Sequence, residues 1–316
     1  MTTLAVLGGF IDTDELPPLA PSQKWDEVPC DMRSALFVLF TDFHRNEGHS
    51  EASITAYKGD IRDFFTLCPK AIDEIEMEDV DAATKAWRER GLSPKTISRR
   101  HAALSSFFHC LQRLKMVKAN PVDLAAKPKV PKRLPKNIPT EDETMAMCAV
   151  PGLAGAVCEI LFGTGARRAE LAGAKVADYD AGNGTIRIVG KGNKEAYLML
   201  TKRAQKRLEE IAIPGAEYLV CFQEGDKRGQ PLGKYGVYEA VLAARDAAGI
   251  DKAKRNITPH KLRGACATLM RKHGADLMDI QKKLRHASPA TSQVYIDLDL
   301  AQQRAAQAKF HPGDRE

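Results

Sequence analysis

The sequence predicts a mainly α-helical protein with a small β-sheet (α+β), divided into two folded blocks. Three features predict it. Most segments repeat apolar residues at a spacing of three and four, the helical period. A single stretch near residues 185–200 alternates and turns like a hairpin. A proline-rich basic run, 127–139, separates the blocks and cannot be helical. At 316 residues the chain is long enough for two cores, and 44% hydrophobic with 28% charged residues is ordinary globular composition.

In chain order, residues 1–30 carry scattered prolines and no sustained period, so a flexible N-terminal extension is expected. Residues 31–126 read as a helical, DNA-binding domain. Ser34–Phe43 supplies one helix; Ser53–Leu67 a second, with Ile54, Tyr57, Ile61, Phe64 and Phe65 on one side. Met77–Arg90 gives a third, ended by Gly91. Ser93-Pro94 caps a fourth, whose apolar Ile97, Leu104, Phe107, Phe108 and Leu111 alternate with Lys95, Arg99 and Arg100.

Charge is unevenly spread. The net charge is only +6, yet Pro94 to Lys136 holds eleven Lys/Arg against one acid, Asp123. Clustering of this kind marks a surface for a polyanion, and double-stranded DNA is the expected partner. The plainer reading, a solvated charged face, carries similar weight for a lone cluster. The linker 127–139 (KPKVPKRLPKNIP) has four prolines and five bases, so Lys129, Lys132 and Arg133 are suited to tracking phosphates. Lys95, Arg99 and Arg100 complete the candidate DNA-binding set. The seven cysteines are scattered without a CxxC pair, so neither a disulfide framework nor a zinc site is expected. No leader or membrane-length apolar run is evident, and a cytoplasmic location with no membrane partner is expected.

The second domain, 140–316, opens with a capping box, Thr140-Glu141-Asp142-Glu143. An almost wholly apolar helix, Ala154–Phe162, runs into Gly163-Thr164-Gly165-Ala166-Arg167-Arg168-Ala169-Glu170. An arginine delivered there must pair with an acid or bind an anion, because burying it alone is costly. The hairpin Thr185–Val189 and Ala196–Leu200 puts Lys191 at its tip, where a lysine is by default simply solvated. Helices over Leu200–Ile211 and Tyr235–Ala248 and a short segment Tyr218–Phe222 complete the scaffold.

The stretch TPHKLRGACATLMRKHGADLMDIQKKLRHASPATSQVYID, from Thr258, carries groups suited to phosphate chemistry. Pro259 fits a first helical turn, and His260 and Arg263 project from one face three residues apart. Gly274 fits a helix C′ position. A helix with Leu277, Ile280 and Leu284 as its buried stripe follows and leads to His286. Ser288-Pro289 then opens a short helix presenting Tyr295. Singly, each residue has an ordinary structural reading; together, at ordered spacing, they read as a site.

TGARRAEL, GKGNKEAYLML, PHKLRGACATLMRKHG and LRHASPATSQVYI resemble the ordered boxes of the tyrosine recombinase (phage integrase) family, and SPKTISRRHAALSSFFHCL resembles part of its core-binding domain. The resemblance covers about Arg33 to Pro312. It implies a core-binding domain plus a catalytic domain forming a C-shaped DNA clamp, and a Xer-like site-specific recombinase. The catalytic set it implies is Arg167, Lys191, His260, Arg263, His286 and Tyr295. Glu170 is expected to orient its neighbours without moving a proton. No cofactor or metal is required. A tail helix, 298–310, implies through the same resemblance packing on a neighbouring protomer and a homo-tetramer on two DNA sites, with folding back on its own domain the alternative and accessory proteins or a paralogous recombinase left open. There are departures. Arg285 stands where the family usually has glycine, Arg168 follows Arg167, and Lys194 lies near Lys191. A type IB topoisomerase and a non-catalytic DNA-binding relative are the competing readings.

Overall fold

The computed structural model describes residues 3–6, 9–12, 30–131, 137–189, 195–253 and 255–285, with side-chain surroundings from Ser34 onward. The chain divides into two compact units, Met1–Lys132 and Arg133–Glu316, so the division falls inside the proline-rich stretch 127–139.

Unit 1 is built on four helices: α1 (Cys30–Asn46), α2 (Glu51–Leu67), α3 (Met77–Glu89) and α4 (Pro94–Arg113). Two serines start two of them. Ser50 Oγ accepts from Ser53 N–H at 3.3 Å, and Ser93 Oγ accepts from Thr96 N–H at 3.1 Å, with Pro94 in the first turn of α4. The helical stripes meet in a core that includes Phe40, Ile61, Phe64, Trp87, Leu104, Phe107 and Phe108. Each such aromatic contributes roughly 1.5–3 kcal/mol by leaving water. Phe107 sits among Phe37, Phe40, Phe65 and Phe108, with centroid separations of 5.9–6.3 Å. In the stretch expected to be an extension, β1 (Thr3–Val6) and β2 (Gly9–Asp12) pair antiparallel, Leu4 opposite Ile11. The signal was a run of only ten residues, LAVLGGFID with its flanking threonine, too short to stand out from a proline-scattered segment. The first helix also starts earlier than its apolar stripe, at Cys30.

Unit 2 is organised around α6 (Gly152–Thr164), against which α5 (Glu141–Ala149), α8 (Lys202–Glu210), α9 (Gly233–Ala247) and α10 (Pro259–Lys272) all pack. A helix so surrounded must be apolar all round, and Val157, Cys158, Ile160 and Leu161 are fully buried. Short α7 (Arg168–Ala172) follows α6 and packs on α9. The sheet is antiparallel in the order β3 (Tyr179–Asp180), β4 (Thr185–Val189), β5 (Glu195–Met199), with Ile186 facing Leu198. Ile186, Ile188 and Leu198 turn inward, the period-2 pattern of a half-buried sheet. Tyr218–Phe222 forms only isolated bridges, Lys175 to Tyr218 and Cys221 to Pro231. Finally α11 (Leu277–Leu284), capped by Asp276, buries Ile280 and Leu284. Thr140 and Glu143 exchange bonds at the start of α5, as a capping box does. No helix among the described residues is long and apolar enough to cross a membrane.

Candidate active site

The site is assembled around one glycine. Gly165 ends α6 in the left-handed conformation (φ 62°). A Cβ there would stand 2.5 Å from Leu284 Cδ2, so the position needs glycine both for its φ and for the close approach of α11. Arg263 reaches the same turn from α10. It is 3% exposed, and its guanidinium donates to the carbonyl of Gly165 and to that of Leu284 at the end of α11. Burying this cation is tolerable because backbone oxygens meet two of its five N–H donors. One arginine thereby joins α10 to the end of α11 and to the glycine turn 98 residues away.

Two residues beyond Gly165, Arg167 caps the start of α7. Its backbone N–H donates to Glu170 Oε2 at 2.8 Å, and its Nη1 donates to Oε1 at 2.7 Å. Arg167 is half exposed, whereas Glu170 is 8% exposed. Arg285 Nη2 donates to Glu170 Oε2 from the other side, at 2.9 Å. Burial alone would raise the Glu170 pKa. The Arg167 backbone and side chain, with the Arg285 and Arg167 charges, outweigh burial and hold the carboxyl below its usual value. Glu170 is therefore an ionised anchor shared by two guanidinium groups. Lys283 adds a further cation, donating to the Met199 carbonyl at 2.9 Å and so tying α11 to the end of the hairpin. Burial lowers its pKa.

Arg285 takes up the backbone position that Gly would favour: it ends α11 at φ 54°, ψ 47°. Its side chain turns inward, with Nη1 on the Lys283 carbonyl at 3.0 Å. Arg168 goes elsewhere. It is exposed and lies over the Tyr238 ring on α9, 5.8 Å from the centroid, outside the Glu170 network. Of these two arginines, Arg167 is the one bonded to Glu170. His260 is exposed in the first turn of α10. Lys191, His286 and Tyr295, together with Lys194, the helix expected at Ser288-Pro289 and the tail 298–310, lie outside the described residues.

The bases on α4 are not equivalent. Arg100, 15% exposed, pairs with Asp63 and stands 3.6 Å from Asp60, stacked on Trp87 at 4.9 Å. Arg99 pairs with buried Asp60 but remains 42% exposed. Lys95 and Lys129 are exposed. Helical spacing put all three α4 bases on a candidate DNA face; it could not show that the acids of α2 claim Arg100. Lys132 and Arg133 lie outside the described residues. Sequence reasoning also missed Lys283 as a strut. The signal was available only in three dimensions, in the bond from half-buried Lys283 to a carbonyl 84 residues away.

Arg263 thus reaches the turn that Arg167 follows by two residues, in a helical unit with a small sheet. Comparison with known proteins gives the class, the tyrosine recombinases. The family description "Phage integrase family" matches residues 140–302, and "Phage integrase, N-terminal SAM-like domain" matches residues 39–115. Tyrosine recombinase XerD of Halalkalibacterium halodurans is 30% identical over 290 residues, covering 86% of this chain and 96% of that protein. Tyrosine recombinase XerC of Leptospira interrogans is 30% identical over 297 residues, covering 88% and 93%. A lambda integrase dimer bound to a COC′ core site shares the fold, with a TM-score of 0.67 at 19% identity, covering 83% of this chain and 94% of that one. The chain belongs to the phage integrase family.

Proposed function

We propose that this chain is a Xer-like site-specific recombinase that cuts and rejoins DNA through a 3′-phosphotyrosyl intermediate. The observation that carries the proposal is Arg263 donating to Gly165, two residues from Arg167. Two arginines far apart in sequence thus flank one turn, which suits them to the two non-bridging oxygens of a single phosphodiester. Tyr295 is the proposed nucleophile. Its oxygen forms a bond to phosphorus as the P–O5′ bond breaks. His260 takes the phenolic proton, Lys191 protonates the departing 5′-oxygen, and His286 donates to a non-bridging oxygen. A phenol of pKa ~10 needs such a positive pocket before it attacks at neutral pH. The reverse attack by a 5′-hydroxyl reseals the strand and releases Tyr295. The phosphotyrosyl link retains the energy of the phosphodiester, so rejoining needs no nucleotide, and with the cationic side chains neutralising the developing charge no metal is required. Glu170 and Arg285 orient Arg167 without handling a proton.

Within the same proposal the helical unit binds duplex DNA through Lys95 and Lys129, with Arg99 partly engaged. Four chains act on two duplex sites in the cytoplasm. The lambda integrase relative was solved as a dimer on DNA, which supports a multisubunit complex. The relatives are recombinases and favour neither the topoisomerase nor the non-catalytic alternative. Incubating the protein with two duplexes that carry its cognate site distinguishes these readings. Recombinant products are expected; relaxation of supercoils without recombinants would overturn strand exchange, and binding without any cleavage would overturn catalysis.

A further inference from the structure

The C-terminal end of α1 carries a cluster that strand transfer leaves unused. Gly48 adopts φ 75°, and its N–H donates to the Arg45 carbonyl while His49 N–H donates to the His44 carbonyl, both at 2.9 Å. This is the paired bonding of a Schellman helix end, which folds the residue after the glycine back over the last turn. The contact there is ordinarily apolar. Here it sets the His49 ring against the His44 ring, with centroids 4.6 Å apart at 78°. Glu47 stands between them, its Oε2 3.5 Å from His44 Nδ1 and 3.8 Å from His49 Nε2. One ligand atom from each of the three residues lies within 4.8 Å of the other two.

The three side chains are not a loose surface group. His44 is 2% exposed, and its Nδ1, facing Glu47, makes no hydrogen bond. Leaving a buried polar atom unmatched costs roughly 1–3 kcal/mol, so a fixed nitrogen in this position points to a partner that accepts its lone pair. The opposite ring nitrogen, Nε2, is 2.7 Å from Ser106 Oγ on α4. The rings of Phe40, Phe43 and Tyr57 close the other sides of His44, at 4.4–5.6 Å.

We propose that His44 Nδ1, Glu47 and His49 form a three-ligand site for a divalent transition-metal ion, with zinc(II) the best match. Two imidazoles and a carboxylate are a zinc-type set, whereas calcium and magnesium take oxygen ligands. Tetrahedral bonds of about 2.0–2.1 Å would space the ligand atoms about 3.3–3.4 Å apart. The His44–Glu47 pair already stands near that spacing at 3.5 Å, and half-buried His49 closes on it from 3.8 Å of Glu47 and from within 4.8 Å of His44. With the metal on Nδ1, His44 carries its proton on Nε2 and donates it to Ser106 Oγ. A bond of that kind fixes the tautomer and ring orientation of a ligating histidine. Burial, and secondarily His49, lower the His44 pKa, so the ring is neutral at physiological pH, as a ligand must be. Glu47 and His49 face solvent enough to admit the ion and to leave a fourth position for water. Occupancy would clamp the end of α1 to α4, making the ion a structural element of the helical unit.

The test uses the full-length protein stripped with a chelator and dialysed. Titration with zinc chloride should show one equivalent bound per chain and a thermal midpoint that rises with zinc concentration. Cobalt(II) should give the visible absorption of a tetrahedral complex, and magnesium should do neither. Glu47→Gln and His49→Asn each remove one ligand that lies outside the core, and each should weaken zinc affinity about tenfold or more, read as the zinc-dependent rise above that variant's own metal-free midpoint. Failure of the wild-type chain to bind one equivalent would overturn the proposal. So would zinc binding that both variants retain at full affinity, since that binding would belong elsewhere on the chain.

Discussion

Arg285 allows its backbone and its side chain to be separated experimentally. Its φ of 54° places a non-glycine residue in the left-handed region, at a cost of about 1 kcal/mol. Its side chain offsets that cost through the 2.9 Å charged bond to Glu170, a contact worth roughly 1.5–3 kcal/mol in a site this enclosed. The gain is reduced because Arg285 Nε is buried without a partner and because burial, opposed by Glu170, lowers the guanidinium pKa. A net side-chain contribution of about 1 kcal/mol remains. Arg285→Ala loses the ion pair and keeps the backbone cost, so it should be about 1 kcal/mol less stable than the parent. Arg285→Gly loses the ion pair and the backbone cost together, so it should stand near parental stability. Urea denaturation of the whole chain measures both. Single-turnover cleavage of a nicked cognate duplex should fall severalfold in both variants alike, because both leave Glu170 with Arg167 alone. Equal stability of the alanine and glycine variants would refute the conformational argument. An alanine variant as stable as the parent would refute the ion-pair argument.

Gly165→Ala should destabilise the catalytic unit by about 2 kcal/mol or more, combining left-handed strain with the collision against Leu284, and should impair cleavage by moving Arg167; thermal unfolding checks the first and a cleavage assay the second. Arg100→Ala should cost stability, roughly 2 kcal/mol, while leaving the salt dependence of DNA binding unchanged; Lys95→Ala should do the reverse, reducing the slope of log affinity against log salt by about 1. Burial lowers the pKa of both His44 and His101, the latter bonded to Thr84 Oγ1 at 2.7 Å. The unfolded chain therefore takes up protons first, so stability is full above the ordinary histidine value of 6.5 and falls as pH drops below it. Thermal midpoints of the helical unit's transition at pH 7.5 and 5.5 should show this drop, and His101→Asn should shrink it. Glu170 acts in the same direction at lower pH. Its depressed pKa stabilises the fold above the ordinary carboxylate value, and that contribution is lost as pH falls through the folded value.

The sequence made the helical architecture legible because caps and periods are local. Ser93-Pro94 and Thr140 with Glu143 announce the starts of α4 and α5 within four residues, and the structure uses them in those roles. Helix ends were less legible. The β1–β2 pair was hidden by its shortness, and the helix placed at Leu200–Ile211 begins only after Thr201, which caps it through Ala204 N–H. The arginines of the site were found by family resemblance, since spacing alone gave each an ordinary alternative. What no local pattern could show is that Arg263 and Arg285 act as struts. Arg263 bonds carbonyls 98 and 21 residues away, and Arg285 meets a carboxylate 115 residues away. The departure at Arg285 was visible as an arginine in place of glycine, but its meaning depended on a dihedral angle and on Glu170. The same limit applied to Arg100, whose charge reads as a DNA contact until Asp63 is seen beside it.

The most direct test of the proposed chemistry is the identity of the residue that becomes joined to DNA. A cognate duplex with a nick placed to release the 5′-hydroxyl strand traps the cleaved complex, and digestion followed by mass spectrometry locates the phosphodinucleotide-bearing peptide. The account predicts a single adduct on Tyr295, absent from Tyr295→Phe, and reduced in Arg167→Ala and Arg263→Ala with the DNA still bound. An adduct on another residue, or one that survives in Tyr295→Phe, would contradict it.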